Sequence, residues 1–128
     1  MSGSLAPRRA LSILLADDSQ ILRHSLVGLL QEHTGTRIVG QASTGAECLK
    51  LVGSLRPDVV LLDLTLPDMT GFDVLRSLKA GQYVPHVIVL SLFDDGASRE
   101  SARLAGADAY LSKSAAGREL LPLLDEIT

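Results

Sequence analysis

Hydrophobic positions along the chain follow two alternating patterns. Short, nearly continuous apolar runs predict strands that are buried on both faces, and five of them occur, at 12–16, 37–42, 59–62, 86–90 and 109–112. Each run is followed by apolar residues at a spacing of three and four, which predicts an amphipathic helix. The predicted helices are one that starts after Ser19 and closes at Gly35, one between Thr44 and Pro57, and three at 72–79, 96–104 and 115–127.

Strict alternation of strands and helices predicts a single α/β domain. Five strand–helix units indicate a parallel sheet with right-handed crossovers and helices on both faces. No internal repeat, low-complexity segment or linker interrupts residues 11–128, which we interpret as one domain. Residues 1–10 contain Ser, Gly, Pro and Arg but no apolar stretch of the kind found in signal peptides. We therefore expect them to be a disordered leader or a cloning remnant.

The helical patterns also predict which side chains point inward. In the second helix the expected inward residues are Ala46, Leu49, Val52 and Leu55. In the first helix they are Ile21, Leu22, Ser25, Leu26, Leu29 and Leu30. The only cysteine, Cys48, excludes an internal disulfide and a cysteine-rich metal site. We interpret it as a buried structural thiol.

Composition excludes several classes of protein. The 128 residues are 46% hydrophobic, which is enough for one core. A formal net charge of -3 argues against non-specific binding of this domain to nucleic-acid phosphates. The sequence contains no run of about eighteen apolar residues and so offers no membrane span. These features are typical of a cytoplasmic protein, which is the localisation we expect.

Side chains suited to binding or catalysis follow four of the five predicted strands, whereas Ser43 and Thr44 after the second strand are not distinctive. The first strand ends in Asp17 and Asp18, the third in Asp63, the fourth in Ser91 and the fifth in Lys113. Because ligands of such sheets bind outside the carboxyl ends of the strands, these groups are expected to meet at one edge. Neighbouring strands lie about 4.8 Å apart, so carboxylates at the ends of adjacent strands would be crowded.

Crowded carboxylates repel one another and raise each other's pKa unless a cation lies between them. Oxygen ligands at an open edge suit Mg²⁺, which binds one or two carboxylates together with phosphate oxygens. Such a site could align a phosphoryl group for attack by Asp63, with Lys113 and Ser91 contacting phosphate oxygens. Each residue also has an ordinary interpretation: Asp17-Asp18 as a helix cap, Asp63 as a loop acid, and Ser91 and Lys113 as exposed polar groups. If the ordinary interpretations all held, these residues would have to lie at one edge of the sheet by chance.

Several motifs together resemble the response-regulator receiver family of two-component signalling. The resemblance covers 12–127, nearly the whole chain, and is carried by Leu14–Asp18, Val60–Pro67, Gly71-Phe72, Leu90-Ser91 and Ala105–Lys113. It implies a flavodoxin-like, doubly wound sheet of five parallel strands in the order 2-1-3-4-5. It also implies a regulatory domain rather than an enzyme.

The resemblance assigns a role to each residue at the predicted edge. Asp63 resembles the acceptor of a phosphoryl group from a sensor histidine kinase or a phosphotransfer protein. Asp17 and Asp18 resemble the acidic pair that holds Mg²⁺ together with Asp63, and the backbone carbonyl of Thr65 resembles a further ligand.

The resemblance also implies a switch and an output. Lys113 matches the phosphate-contacting lysine, Ser91 the hydroxyl that moves toward the phosphate, and Tyr110 the aromatic side chain that follows it inward. The fourth helix, fifth strand and fifth helix would then form the partner or dimer surface, whose candidate residues are Arg99, Arg103, Tyr110 and Arg118. Lys113 is followed by Ser114 rather than proline, which is similar to receivers of LuxR-type regulators. Binding to DNA, and control of transcription, would then require an output domain outside this chain.

Three alternatives compete with this interpretation. A pseudo-receiver would use the same fold as a constitutive protein-interaction module, and complete retention of the acidic residues argues against it. A haloacid-dehalogenase-type phosphatase requires a second aspartate two residues after the nucleophile, where this chain has Thr65. A flavodoxin-like FMN binder is disfavoured by the low aromatic content of 3%. Within the receiver interpretation, Leu92 and Phe93 flank the site, and we hypothesise that they slow hydrolysis of the phosphoryl group.

Overall fold

The computed structural model describes residues 10–127, and these form five strands that alternate with five helices. The elements are β1 (Leu11–Ala16), α1 (Gln20–Gln31), β2 (Thr36–Ala42), α2 (Gly45–Leu55), β3 (Val59–Asp63), α3 (Gly71–Ala80), β4 (His86–Ser91), α4 (Gly96–Leu104), β5 (Ala109–Ser112) and α5 (Ala116–Ile127). The predicted alternation is therefore confirmed. The predicted leader, residues 1–10, lies outside the described residues except for Ala10 and stays a prediction.

The strands form one parallel sheet in the order β2-β1-β3-β4-β5, as predicted. The register pairs Ala16 with Leu62, so the residues that follow, Asp17 and Asp63, lie side by side at the end of the sheet. Asp63 in turn pairs with Leu90, and the next residue of β4 is Ser91. The sheet therefore delivers the polar ends of β1, β3 and β4 to one edge.

Both faces of the sheet are covered by helices, which explains the continuous apolar runs. One core layer lies under α2, α3 and α4 and includes Leu14 and Ala16 of β1. The other lies under α1 and α5 and includes Leu11, Ile13 and Leu15 of the same strand. Because alternate side chains of a strand enter opposite layers, every position of β1 is apolar or small and buried.

The inward face predicted for α2 is only partly correct. Ala46 is exposed and Leu55 is 43% exposed, whereas Cys48 and Val52 are fully buried, as is the helix start at Gly45. The face is displaced because α2 approaches the β3–α3 loop closely at Gly45, where an added Cβ would lie 2.3 Å from a side-chain atom of Met69. Burial raises the pKa of the Cys48 thiol to about 12, which confirms a buried, unreactive thiol.

Two predictions for α1 are wrong. Ile21 is 82% exposed and Ser25 is exposed, so the fully buried face is reduced to Leu26 and Leu30. The helix ends at Gln31 rather than at Gly35. The chain turns earlier because the His33 ring accepts the Gly35 N–H at Nδ1 (3.1 Å), while its Nε2 pairs with Asp125 of α5 (3.0 Å).

None of the helices within residues 10–127 is long and apolar enough to cross a membrane.

Candidate functional site

Three aspartates converge at the carboxyl edge of the sheet, as the sequence predicts. One carboxylate oxygen from each of Asp17, Asp18 and Asp63 lies within 4.8 Å of the others. Asp17 and Asp63 are each only 2% exposed, whereas Asp18 is exposed. The cluster therefore has two buried members and one that faces solvent.

Lys113 bridges the two buried carboxylates. Its Nζ lies 2.9 Å from Oδ2 of Asp17 and 3.3 Å from Oδ1 of Asp63. The Lys113 backbone N–H donates to the carbonyl of Ser91 at 2.7 Å, which fixes the residue at the end of β5. Burial lowers the pKa of Lys113, but the hydrogen bonds and charges of the two carboxylates outweigh it, so this pKa lies above its usual value.

Asp63 is held in an environment that disfavours its charge. Burial is the largest cause that raises its pKa, and the charge of Asp17 raises it further. The Thr65 N–H, which donates to Asp63 Oδ1 at 3.1 Å, and the ammonium of Lys113 act in the opposite direction. The pKa of Asp63 remains above its ordinary value, because burial together with the charge of Asp17 outweighs the contacts with Thr65 and Lys113.

The donor atoms of this cluster fit a magnesium ion. Asp17 Oδ1 accepts the Ser19 N–H at 2.8 Å, and Arg23 donates to the Asp17 carbonyl at 2.5 Å. Asp17 Oδ2, in contrast, is buried with only the Lys113 ammonium, at 2.9 Å, beside it among the described residues. A buried carboxylate oxygen in this situation is costly unless a cation or a donor satisfies it. Oxygen-only donors of this charge suit Mg²⁺.

Gly71 allows the loop after β3 to close tightly beside Asp63. Its N–H donates to the Leu64 carbonyl at 2.8 Å, and an added Cβ would lie 2.5 Å from the backbone oxygen of Asp63. Any larger residue would push against the backbone that presents the Asp63 carboxylate. This close approach depends on a backbone partner eight positions away in the sequence.

Ser91 and Tyr110 meet at the backbone of Phe93. The Ser91 hydroxyl is buried and accepts the Phe93 N–H at 3.0 Å. The half-buried Tyr110 donates its hydroxyl to the Phe93 carbonyl at 2.7 Å. The structure therefore places Ser91 at the predicted edge with its hydroxyl bound to the β4–α4 loop rather than to Asp63.

Arg99 of α4 contacts the same β4–α4 loop. The sequence did not predict its contact with Tyr110. Its guanidinium lies 4.8 Å from the centre of the Tyr110 ring and donates two hydrogen bonds to Asp94 Oδ1, at 2.5 and 2.8 Å. Such a cation–π contact favours the observed position of the ring. The observed position of Tyr110 is thus supported by the hydrogen bond of its hydroxyl and by the contact of Arg99 with its ring.

An open cleft of about 500 Å³ gives access to the cluster from solvent. Two exposed apolar side chains line this cleft, Leu92 (79% exposed) and Phe93 (61% exposed). Thr65 also lines the cleft, beside Asp63 and Lys113. The predicted neighbours of the site are therefore brought together, while the role of the Thr65 carbonyl as a ligand stays a prediction.

Fold and site together define a doubly wound α/β domain with an acidic, lysine-bridged centre at the carboxyl edge of its sheet. The profile of the response regulator receiver domain matches residues 13–125, and the chain belongs to this family. It is 31% identical over 117 residues to the response regulator GacA of Pseudomonas aeruginosa, covering 91% of this chain and 55% of GacA. It is 34% identical over 115 residues to the nitrate/nitrite response regulator NarL of Escherichia coli, covering 90% of this chain and 53% of NarL.

Solved structures agree with this assignment. A two-component response regulator of the LuxR family from Aurantimonas superimposes with a TM-score of 0.87 at 28% identity, covering 93% of this chain and 85% of that one. The sequence-based resemblance to receivers of LuxR-type regulators is confirmed. The chain spans about half the length of the curated relatives that it matches.

Proposed function

We propose that this chain accepts a phosphoryl group on Asp63 from a sensor histidine kinase or a phosphotransfer protein and thereby switches a surface that controls an output, in the cytoplasm. The observation that carries the proposal is the buried pair of carboxylates at Asp17 and Asp63, bridged by Lys113 and short of positive charge. A site of this kind is completed by a cation and an anionic phosphoryl group. The domain acts as a regulated switch rather than as an enzyme.

In the proposed step, a carboxylate oxygen of Asp63 attacks the phosphorus of the donor. The new bond joins that oxygen to phosphorus, and the bond from phosphorus to the donor's imidazole nitrogen breaks. The nitrogen keeps the electron pair and the ring takes up one proton from solvent, so the donor leaves as neutral imidazole. The product on this chain is an aspartyl phosphate.

Asp17, Asp18 and Asp63 would hold Mg²⁺, with the Thr65 carbonyl as the further protein ligand. When bound, the ion supplies positive charge that neutralises the phosphoryl oxygens and aligns them for in-line attack. Lys113 already lies between Asp17 and Asp63 and would contact a phosphoryl oxygen once the Asp63 carboxylate has become an acyl phosphate.

Phosphorylation is proposed to reorganise the β4–α4 loop. The Ser91 hydroxyl would exchange its Phe93 N–H contact for a phosphoryl oxygen, and the loop shift would release the Tyr110 hydroxyl from the Phe93 carbonyl. Tyr110 would then turn inward, away from Arg99. This change alters the surface formed by α4, β5 and α5.

Phosphorylation by acetyl phosphate tests the proposed function. We expect the intact mass of the wild-type chain to increase by one phosphoryl group in the presence of Mg²⁺ and to stay unchanged when the ion is chelated. Acetate is the leaving group in this reaction, so no kinase is needed. A chain that never gains mass would instead act as a pseudo-receiver, which the intact acidic cluster disfavours.

The surface that includes Arg99, Arg103, Tyr110 and Arg118 is proposed to mediate homodimerisation or partner binding after activation. Size-exclusion chromatography coupled to light scattering measures the mass of the species in solution. It is run with and without Mg²⁺ and beryllofluoride, a phosphoryl mimic. We expect a larger mass only when both are present. An unchanged mass would argue against activation by dimerisation.

Leu92 and Phe93 are proposed to prolong the life of the phosphoryl group, because apolar side chains at the cleft neither bind nor orient an attacking water. We expect Leu92→Ala and Phe93→Glu to lose the phosphoryl group several-fold faster than wild type in a chase experiment. Leu55→Ala is the matched control, since Leu55 is also partly exposed but lies at the end of α2, away from the cleft. If neither variant accelerates the loss, the proposal is wrong.

Control of transcription is proposed to occur through an output domain outside this chain. The relatives GacA and NarL are about twice as long as the matched region, and a structural neighbour is described as a LuxR-family regulator. Any binding to DNA would belong to that domain, since this chain has a net charge of -3.

A further inference from the structure

One side chain ties the loop between β3 and α3 to the start of α2. Asp68 Oδ1 accepts the Gly45 N–H at 2.7 Å, and Asp68 Oδ2 accepts the Ala46 N–H at 2.9 Å. These are among the first N–H groups of α2, which have no partner within the helix. A carboxylate at a helix N-terminus is also favoured by the helix dipole.

The helix does not depend on Asp68 for its own cap. Thr44 Oγ1 accepts the Glu47 N–H at 3.1 Å, and Glu47 Oε1 accepts the Ser43 N–H at 2.8 Å. Glu47 is the third residue of the helix, as in a capping box, but its carboxylate accepts the N–H of Ser43, which precedes the N-cap residue Thr44. The two bonds to Asp68 are therefore additional, and their distinctive effect is to connect α2 with a loop more than twenty positions away in the sequence.

The same loop carries the residue next to the acidic cluster. Thr65 pairs with Thr70 in an antiparallel bridge, and the Gly71 N–H donates to the Leu64 carbonyl, so the loop closes on itself. At its near end, the Thr65 N–H donates to Asp63 Oδ1. At its far end, Met69 packs against Gly45 with no room for a Cβ.

We propose that Asp68 is a positioning residue for the magnesium site, because it anchors the far end of the β3–α3 loop and so holds Thr65 beside Asp63. This inference rests on the proposed function, since it concerns the same site. Without the tether, the loop keeps its Thr65–Thr70 bridge and the packing of Met69 against Gly45 but loses both hydrogen bonds to α2, so it moves more freely and the Thr65 N–H spends less time on Asp63. The ligand geometry is then less well ordered before the ion binds.

Magnesium affinity, measured by isothermal titration calorimetry with MgCl₂, tests the proposal in the unphosphorylated chain. We expect Asp68→Ala to bind Mg²⁺ about tenfold more weakly than wild type. This is the lower end of the effect that residues supporting the metal ligands have on metal affinity. Asp68→Asn is expected to be intermediate, because its single amide oxygen can satisfy only part of the pair. It also serves as the second variant if Asp68→Ala does not fold.

Two matched controls separate positioning from simpler effects. Thr44→Ala removes a cap of α2 itself and leaves the Asp68 bonds, so it tests whether helix stability alone matters. Asp95→Ala removes an equally exposed acidic cap from α4, which starts at the same edge of the sheet, so it tests the loss of a negative charge. Both controls are expected to bind Mg²⁺ within about twofold of wild type, since neither removes a hydrogen bond between the β3–α3 loop and α2.

Amide hydrogen exchange in the metal-free chain provides a readout of the loop itself. We expect the Thr65 and Gly71 amides to exchange faster in Asp68→Ala and to be unchanged in Thr44→Ala. Equal magnesium affinity of Asp68→Ala and wild type, or equal weakening by either control, would overturn the proposal. Failure of the wild-type chain to bind Mg²⁺ would instead reject the magnesium site itself.

Discussion

Replacing Asp63 with Asn is expected to abolish phosphate uptake from acetyl phosphate and to leave the fold intact. The amide is not a nucleophile at neutral pH, whereas its size and shape nearly match the buried carboxyl. Intact mass spectrometry in the presence of Mg²⁺ measures the effect. Asp73→Asn, which changes an exposed aspartate paired with Arg76 on α3, is the control and should be labelled as wild type.

The same variant is expected to be more stable than wild type at neutral pH without Mg²⁺. The pKa of Asp63 is raised in the folded chain, chiefly by burial, so folding disfavours the charged form. The stability associated with the protonated carboxyl is present below its unfolded pKa and is lost as the pH rises through the raised, folded pKa. Thermal melts across this acidic range should show the loss of stability in wild type and not in Asp63→Asn.

In the labelling experiment, persistent labelling of Asp63→Asn at the wild-type level would overturn the assignment of Asp63.

Removing the ammonium of Lys113 is expected to have the second large effect. Lys113→Met leaves Asp17 and Asp63 facing each other in a buried site, and breaking a buried ion pair in this way costs about 3 kcal/mol. We expect chemical denaturation at neutral pH to show this loss. Added Mg²⁺ should recover much of it, because a cation can replace the missing charge between the carboxylates.

Two comparisons make the Lys113 experiment specific. The double variant Lys113→Met/Asp63→Asn should lose less stability than Lys113→Met does alone, since only one buried carboxylate of the bridged pair then remains. Lys79→Met breaks another partly buried pair, with Asp108 at 2.6 Å, and its loss should not respond to Mg²⁺. A Lys113 variant as stable as wild type, or one that Mg²⁺ fails to help, would contradict the electrostatic description of the site.

Most of the fold could be predicted because each central strand is buried on both faces. The run Val59–Leu62 supplies side chains to both core layers, so it is continuously apolar and unmistakable. The direction of the strands then determines where their ends lie. The positions of Asp17 and Asp63 beside each other therefore follow from the sequence pattern alone.

The faces of the outer helices were harder to predict because their burial depends on neighbours distant in sequence. Leu55 fits an apolar spacing in α2, yet the helix packs through Gly45 and Cys48. The hydrophobic pattern gives glycine no weight. The contact of Gly45 with Met69 consequently has no signal in the helix itself.

Contacts that involve backbone groups account for the rest of what the sequence could not predict. The N–H groups that bind Asp68 belong to Gly45 and Ala46, and every residue except proline has such a group. No residue type therefore marks the partner of Asp68. The same holds for Tyr110, whose hydroxyl binds a carbonyl rather than a recognisable side chain.

The main chain and the side chain of Phe93 make different contacts. Both contacts use the main-chain N–H and carbonyl of residue 93, so they are indifferent to the side chain carried there. That side chain instead faces the cleft where a phosphoryl group would be exposed to water. In the proposed switch, a substitution of Phe93 would therefore change how the phosphoryl group is exposed to water while keeping both main-chain contacts, and proline is the one substitution that would remove a contact directly, because it lacks the N–H.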